Sequence, residues 1–190
     1  MIRAFVAVGI SQEARDALAE VTHCLQERGV LGVRSVRPEG VHLTLKFLGD
    51  IDPTLVDCIL AALERACLGT GPLNLALSGV GAFPSLANPR VLWVGLKGDL
   101  ELLRELQRRI NQAVSVACGL PLEERQFSPH LTLGRLRDSV SSEERRKVGE
   151  AATEVGLDAD VSWEVEETNL IRSTLSPSGA TYEVLGSRKL

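Results

Sequence analysis

Short stretches in which apolar and polar residues alternate are separated by longer stretches with a helical apolar spacing. Residues 73–77 place leucine at every second position, which predicts a strand with one buried face. Residues 100–118 place apolar side chains three or four positions apart, which predicts an amphipathic helix. Ser11 is typical of a helix start, and Gly119 is typical of the position after a helix end. The chain therefore contains interleaved strands and helices.

The same criteria divide the whole chain into strands and helices. The predicted strands are 2–8, 33–37, 41–48, 73–80, 90–96, 130–136, 160–172 and 181–186, and the predicted helices are 11–28, 53–68, 100–118 and 141–155. A loop at 81–89 and a turn at 176–179 complete the prediction. The second half weakly repeats the first, which suggests two similar lobes within one bilobal domain of residues 1–190.

One tetrapeptide, His-Leu-Thr-Leu, occurs twice in a chain that has only three histidines. Side chains alternate between the faces of a strand, so His42 should face the same way as Thr44, and His130 the same way as Thr132. Two imidazoles that face one substrate can divide general acid and general base catalysis. We therefore predict a shared cleft with one His–Thr pair from each lobe. The structural alternative is two similar strands with partly buried, hydrogen-bonded histidines.

Composition narrows the class of protein. The hydrophobic fraction of 44% supports a real core, and the charged fraction of 24% is ordinary for a soluble protein. The net charge of −4 argues against binding of long nucleic acid through its phosphates. A nucleic-acid substrate remains possible if only one end of it is bound, and basic residues would then be confined to the cleft.

The cysteines and the apolar segments bear on localisation. Cys24, Cys58, Cys67 and Cys118 lack the spacing of metal ligands, and we interpret them as buried free thiols in a reducing compartment, with disulfides as the alternative. The start of the chain lacks the length and cleavage pattern of a signal peptide. No stretch approaches the ~20 apolar residues of a membrane span. We expect a cytoplasmic protein without membrane attachment.

The motifs and several other segments together resemble a known family. The segments are 3–8, 41–49, 90–96, 127–135, 170–173 and 182–185. They resemble the 2H phosphoesterase superfamily and, within it, the RNA 2′,3′-cyclic phosphodiesterase branch, historically called 2′-5′ RNA ligases. With the order of elements, the resemblance implies an α+β fold of two pseudo-symmetric lobes. Each lobe is a mainly antiparallel sheet with helices on its outer face, and the active-site cleft lies between them.

The resemblance also implies an activity. It implies metal-independent opening of 2′,3′-cyclic phosphates to 2′-phosphomonoesters, in some members with reversible 2′-5′ RNA ligation. His42 is expected to be the proton donor and His130 the proton acceptor, while Thr44 and Thr132 would hold the phosphate. No cofactor and no metal is implied. The expected partners are RNA 3′ ends or small nucleotide cyclic phosphates, and a monomer is the default.

Two basic residues are further candidates for substrate binding. Strict alternation places Arg135 on the face opposite Thr132, but a strand end or a bulge near Gly134 would turn it towards the phosphate. The alternative for Arg135 is a solvated or salt-bridged arginine. Lys46 is expected on the face of His42, either at the cleft edge or simply solvated.

Aromatic residues are the remaining candidates, because unpaired bases stack on aromatic faces. Phe127 and Tyr182 could take that role, although core packing is the competing expectation for both. Trp93 and Trp163 are expected in the core.

Three alternative functions stay open. A metallophosphoesterase would need carboxylates or a His-x-x-x-His spacing near the motifs, which the sequence lacks. A non-catalytic module that binds RNA ends would keep the cleft without turnover. A phosphodiesterase for small cyclic nucleotides or an ADP-ribose cyclic phosphate would use the same residues with a different pocket.

Overall fold

The computed structural model describes residues 1–30, 32–157, 160–176 and 179–190. Its strands are β1 (Ile2–Val8), β2 (Val33–Ser35), β3 (Leu43–Ile51), β4 (Leu73–Phe83), β5 (Val91–Gly98), β6 (His130–Leu136), β7 (Ser162–Val165), β8 (Glu167–Ser176) and β9 (Gly179–Lys189). Its α-helices are α1 (Gln12–Glu27), α2 (Val56–Cys67), α3 (Leu100–Cys118) and α4 (Ser142–Glu154). Short 3₁₀ turns at Pro38–Gly40 and Pro53–Leu55 precede β3 and α2. The predicted turn at 176–179 includes Pro177 and Ser178, which lie outside the described residues.

Local signals explain several helix ends. The Ser11 hydroxyl accepts a hydrogen bond from the amide of Ala14 at 3.1 Å, which caps α1. Ser141 and Glu144 form a reciprocal capping box at the start of α4. Gly119 ends α3 with φ 66°, a conformation that glycine adopts without steric cost.

The strands form two antiparallel sheets. The four-stranded sheet has the order β3-β1-β8-β9, and the five-stranded sheet has the order β2-β6-β5-β4-β7. Helices α2 and α3 pack on the four-stranded sheet, whereas α4 packs on the five-stranded sheet with α1 beside it. The motif strands β3 and β6 lie in different sheets, as the sequence predicted.

The second half of the chain repeats the element order of the first. The series β1-α1-β3-α2-β4 matches β5-α3-β6-α4-β8, and His42 and His130 occupy equivalent places in it. However, the halves are not the lobes, because strands cross between them. β4 pairs with β5 in one sheet, and β8 pairs with β1 in the other. Each sheet therefore combines strands from both halves.

The cysteine prediction is wrong for two of the four residues. Cys58 and Cys118 form a disulfide with a Cα–Cα distance of 6.0 Å, whereas Cys24 and Cys67 are thiols. Helices α2 and α3 pack side by side and bring the two residues together across 60 positions, a contact that no local spacing reveals.

The structure also bears on membrane attachment. Within the described residues, no helix is both long enough and apolar enough to cross a membrane.

Candidate active site

His130 is the first residue of β6, and its ring is oriented by the backbone. Its Nδ1 lies 2.7 Å from the carbonyl oxygen of Ser128. A carbonyl only accepts hydrogen bonds, so Nδ1 carries the proton and Nε2 of the neutral ring is left with a lone pair. Phe83 meets the ring edge-on at a centroid distance of 4.9 Å, and Trp93 lies 6.3 Å away.

His42 lies immediately before β3 and has a similar backbone partner. Its ring donates a hydrogen bond to the Gly40 carbonyl. Phe5 stacks on the ring at a centroid distance of 4.5 Å, and Tyr182 meets it edge-on at 5.1 Å. Burial lowers the pKa of His42 to about 4, and the Gly40 hydrogen bond opposes this shift only in part. The free protein therefore holds His42 neutral at pH 7.

The alternation predicted for both motifs is confirmed. Each histidine hydrogen-bonds the carbonyl two residues earlier, and each threonine, Thr44 or Thr132, is half-buried two residues later. The leucines of both motifs are buried in the core: Leu43, Leu45, Leu131 and Leu133. Each sheet thus presents a His–Thr pair on the face opposite its core.

Both motifs end in a β-bulge at their last leucine. Opposite β1, the register passes from Thr44 directly to Lys46, so Leu45 is the extra residue. The second motif repeats this irregularity at Leu133, opposite β5. One extra residue exchanges the faces of all the side chains that follow it.

The bulges decide which later residues face outward with the histidines. Phe47 is 65% exposed and lies 6.1 Å from the Phe5 ring, so it shares the face of Thr44. Arg135 is exposed at the equivalent position of β6. Of the two alternatives for Arg135, the structure has the bulge, at Leu133 beside Gly134, and it turns Arg135 to the outward face.

The predicted position of Lys46 is wrong. Lys46 is only 3% exposed, on the core side of β3. Its Nζ donates hydrogen bonds to Asn111 Oδ1 at 2.6 Å and to the Pro121 carbonyl at 2.8 Å. Burial lowers its pKa, and the charge of Glu123 opposes that shift. The bulge at Leu45 turns Lys46 away from His42, so it has no place in the cleft.

Phe127 lies in the segment that leads into β6, three residues before His130. Its half-buried ring packs against the hydrophobic core, which was the competing expectation. The segment before β6 is held against α3, because Asn111 bonds both the carbonyl and the amide of Glu123. Burial of the apolar ring is favourable and agrees with core packing, whereas stacking of a base on its exposed part stays a prediction.

Tyr182 connects the two motifs. Its ring contacts His42, and the positive charge of Arg135 opposes the rise in the Tyr182 pKa that burial causes. Arg135 belongs to the five-stranded sheet and Tyr182 to the four-stranded sheet. On the core side, the buried residues Val41 and Leu133 line one common groove beside α1. Residues that adjoin the two motifs therefore lie close together, although the motifs belong to separate sheets.

Sequence reasoning missed most of the aromatic residues around the histidines. No role in the cleft was assigned to Phe5, which contacts His42 beside Tyr182, or to Phe83 and Trp93, which contact His130. The same is true of Phe47, which contacts Phe5. The chain has four Phe, two Trp and one Tyr, so most of its aromatic side chains gather here. Trp93 is half-buried against His130 rather than in the core, whereas Trp163 is buried as expected. The small number of aromatic residues in the chain was the one sequence feature that could have drawn attention to them.

A metal site would need several ligating side chains close together. Across the part of the chain that the structure describes, no three His, Cys, Asp or Glu side chains gather as metal ligands.

Comparison with known proteins identifies the family. The model of the family described as LigT like phosphoesterase matches the chain twice, over residues 8–93 and 94–182. The chain belongs to this family. The RNA 2′,3′-cyclic phosphodiesterase of Methanothermobacter thermautotrophicus is 32% identical over 181 residues, which cover 95% of both chains. The corresponding protein of Thermotoga maritima is 29% identical, over 97% of this chain and 93% of the relative. The chain is an enzyme of the phosphoesterase class, and its resemblance to this branch is confirmed.

Solved structures agree with the fold of this phosphoesterase. TT0787 of Thermus thermophilus matches it with a TM-score of 0.80 and 30% identity, covering 100% of this chain and 98% of that one. LigT of E. coli, in a complex with 3′-AMP, matches with a TM-score of 0.75 and 21% identity, over 100% and 98% of the two chains. The predicted two-lobed α+β architecture is confirmed.

Proposed function

We propose that this phosphoesterase opens the 2′,3′-cyclic phosphate at an RNA end and leaves a 2′-phosphomonoester. The observation that carries the proposal is the pair of imidazoles, each with a carbonyl partner two residues back and a threonine on the same face. Relatives that align over nearly the whole chain are named for this activity. The histidines have no carboxylate cluster beside them in the described residues, so the reaction proposed uses no metal.

His130 is proposed as the general base. Its Nδ1 is occupied by the Ser128 carbonyl, so the neutral ring accepts a proton at Nε2. The proton comes from a water whose oxygen forms a bond to phosphorus. As that bond forms, the bond between phosphorus and the 3′ oxygen breaks.

His42 is proposed as the general acid that protonates the departing 3′ oxygen. Because its pKa is about 4, His42 is neutral in the free protein at pH 7, and bound substrate has to favour its protonation. An anionic phosphate within hydrogen-bonding distance favours the charged imidazole and raises its pKa. His42 is therefore protonated mainly in the complex.

The remaining outward residues stabilise charge on phosphorus. The hydroxyls of Thr44 and Thr132 donate hydrogen bonds to the non-bridging oxygens, where negative charge is concentrated in the transition state. Arg135 adds a positive charge from the same face.

The test uses an RNA oligonucleotide that ends in a 2′,3′-cyclic phosphate, incubated with protein in excess EDTA. We expect turnover to a 2′-monoester, identified by phosphorus NMR, and no turnover with the His42→Ala/His130→Ala double variant. A 3′-monoester, loss of turnover in EDTA, or no turnover at all would contradict the proposal. An RNA with a 5′-hydroxyl, added to the same mixture, tests for 2′-5′ ligation, which we propose as a secondary reaction.

A further inference from the structure

Two arginines stand side by side on the outward face of the five-stranded sheet. Arg34 of β2 is the direct cross-strand partner of Arg135 of β6. Direct partners in an antiparallel pair point to the same face with Cβ atoms about 5 Å apart. Both side chains are exposed. We call Arg34 and Arg135 the arginine pair.

Nothing in the described residues neutralises the arginine pair. Neither guanidinium has a carboxylate within ion-pair distance among the described side chains, although other arginines of the chain do. Like charges directly opposite each other destabilise a sheet. The chain as a whole carries a net charge of −4, so this local concentration of positive charge is opposite in sign to the average. A bound anion would remove the repulsion.

Glycine at position 134 permits this close pairing. A Cβ at Gly134 would lie 2.7 Å from Cγ1 of Val33 and 2.9 Å from the carbonyl oxygen of Arg34. Any larger residue would push β2 away from β6. The absence of a side chain at position 134 therefore lets the edge strand β2 lie close to β6, with Arg34 beside Arg135.

The arginine pair continues the row of outward residues on β6. His130, Thr132 and Arg135 follow one another along that face, and Arg34 lies beside Arg135 at the end farther from His130. A phosphate held between His130 and Thr132 leaves Arg34 next to the adjoining part of the substrate. In RNA, that part carries the phosphodiester of the preceding nucleotide.

We propose that Arg34, with Arg135, binds the internucleotide phosphate that precedes the cyclic phosphate, and so selects RNA ends over mononucleotides. This inference rests on the proposed function and names the substrate feature that the same cleft recognises. Guanidinium groups suit this role because they donate paired hydrogen bonds to phosphate oxygens.

Three substrates test the inference. They are adenosine 2′,3′-cyclic phosphate, a dinucleotide with a 2′,3′-cyclic phosphate end, and the same dinucleotide with an uncharged methylphosphonate linkage. For the unaltered protein, we expect kcat/KM to be about tenfold higher for the charged dinucleotide than for the methylphosphonate, as one charge-assisted hydrogen bond provides. Arg34→Gln should bring that ratio close to one. The mononucleotide, which lacks the second phosphate, should be affected far less.

Two variants serve as comparisons. Arg135→Gln should lower kcat/KM for all three substrates, because Arg135 also contacts the reacting phosphate in the proposed function. Arg65→Gln removes the same charge from α2, on the outer side of the other sheet, and should leave the ratio unchanged. A ratio preserved in Arg34→Gln, or equal losses for all three substrates, would overturn the inference.

Failure of the proposed function is recognised separately, as the absence of turnover of all three substrates by the unaltered protein. In that case, calorimetry tests the arginine pair by measuring the affinity for two dinucleotide ligands, one with a phosphodiester linkage and one with a methylphosphonate linkage. Both ligands carry a 2′-phosphate in place of the cyclic phosphate. A tenfold weaker affinity for the methylphosphonate that disappears in Arg34→Gln supports the inference, in keeping with the value of one charge-assisted hydrogen bond. Equal affinities of the unaltered protein for both ligands overturn it.

Discussion

His42 lies between two aromatic rings, and this enclosure governs its protonation. Phe5 covers one face of the imidazole and Tyr182 meets its edge. The folded chain therefore lowers the pKa of His42 from its ordinary value of 6.5 to about 4. Between these two pH values, the unfolded chain binds a proton that the folded chain excludes. Stability is thus fully present above pH 6.5 and is lost as the pH falls towards 4.

This linkage predicts a measurable pH dependence. From pH 7.5 to pH 5, the free energy of unfolding should fall by about 2 kcal/mol on account of His42, because each pKa unit corresponds to about 1.4 kcal/mol. Urea unfolding of His42→Gln should show a correspondingly smaller fall. His23→Gln is the matched control, since His23 is exposed and pairs with Glu27 on the surface of α1. Parallel pH curves for His42→Gln and the unaltered protein would contradict the prediction.

Catalysis should depend on both imidazoles. His42→Ala and His130→Ala should each lower kcat/KM by about 10²–10⁴-fold on a cyclic-phosphate RNA, as general acid–base groups typically do. Thr44→Ala and Thr132→Ala should cost less. The pH profile of kcat/KM should be bell-shaped. Circular dichroism checks that each variant is folded, and a loss of only a few-fold for either histidine would remove it from the mechanism.

At the scale of the element, the bulge in β3 rests on a buried polar network. Gln107 donates a hydrogen bond to the carbonyl of the bulged Leu45, and Lys46 bonds Asn111 and Pro121. These contacts attach β3 to α3 and to the segment that leads to His130. Lys46 therefore supports the cleft from the core side.

Removal of the Lys46 ammonium should destabilise the protein. Lys46→Met keeps an unbranched chain of similar size but removes the hydrogen bonds that the ammonium donates to Asn111 and Pro121. Each acceptor keeps one weaker, neutral donor, the amide of Glu123 for Asn111 and the hydroxyl of Ser115 for Pro121. A hydrogen bond from a charged group contributes about 1.5–3 kcal/mol, so the free energy of urea unfolding should fall by about that amount. Lys97→Met, at an exposed position of β5, should stay within about 0.5 kcal/mol. Equal stability of Lys46→Met and the unaltered protein would contradict the role given to the network.

The positions of residues after the two bulges could not be predicted from the sequence alone. Alternation placed the histidines and threonines correctly, because it depends only on the strand itself. It failed at Lys46, because the extra residue at Leu45 is defined by pairing with β1, which leaves no mark in the composition of β3. For Arg135, the same effect was foreseen as one of two possibilities, since Gly134 suggested an irregularity.

Contacts between elements that are distant in the chain could not be predicted from short windows of sequence either. Phe5 and Tyr182 meet at His42 only because β1 and β9 both flank β8 in one sheet. Phe83 lies in a segment that the prolines suggested was a loop, whereas β4 extends to that residue. Sheet order and register decide these contacts, and neither is encoded in a short window of sequence.

At the scale of the whole molecule, the two sequence repeats are interleaved. β4, from the first half, is hydrogen-bonded on both sides by strands of the second half, β5 and β7. α1 follows β1 but lies against the sheet built mainly from the second half. Each half alone would expose unpaired strand edges and an apolar helix face. This interleaving supports our proposal of one bilobal domain spanning the whole chain.

Separate halves should therefore fail to fold, although each carries a complete motif. A fragment of residues 1–89 keeps β4 but loses both of its partner strands, and a fragment of residues 90–190 keeps β8 but loses β1. We expect neither fragment alone to show a cooperative thermal transition by circular dichroism. Co-expression should restore both the transition and turnover of the cyclic-phosphate RNA, because the pairings between halves re-form the two sheets. A cooperative transition in either isolated fragment would mean that a half is an independent folding unit and that the crossed strands are dispensable for its stability.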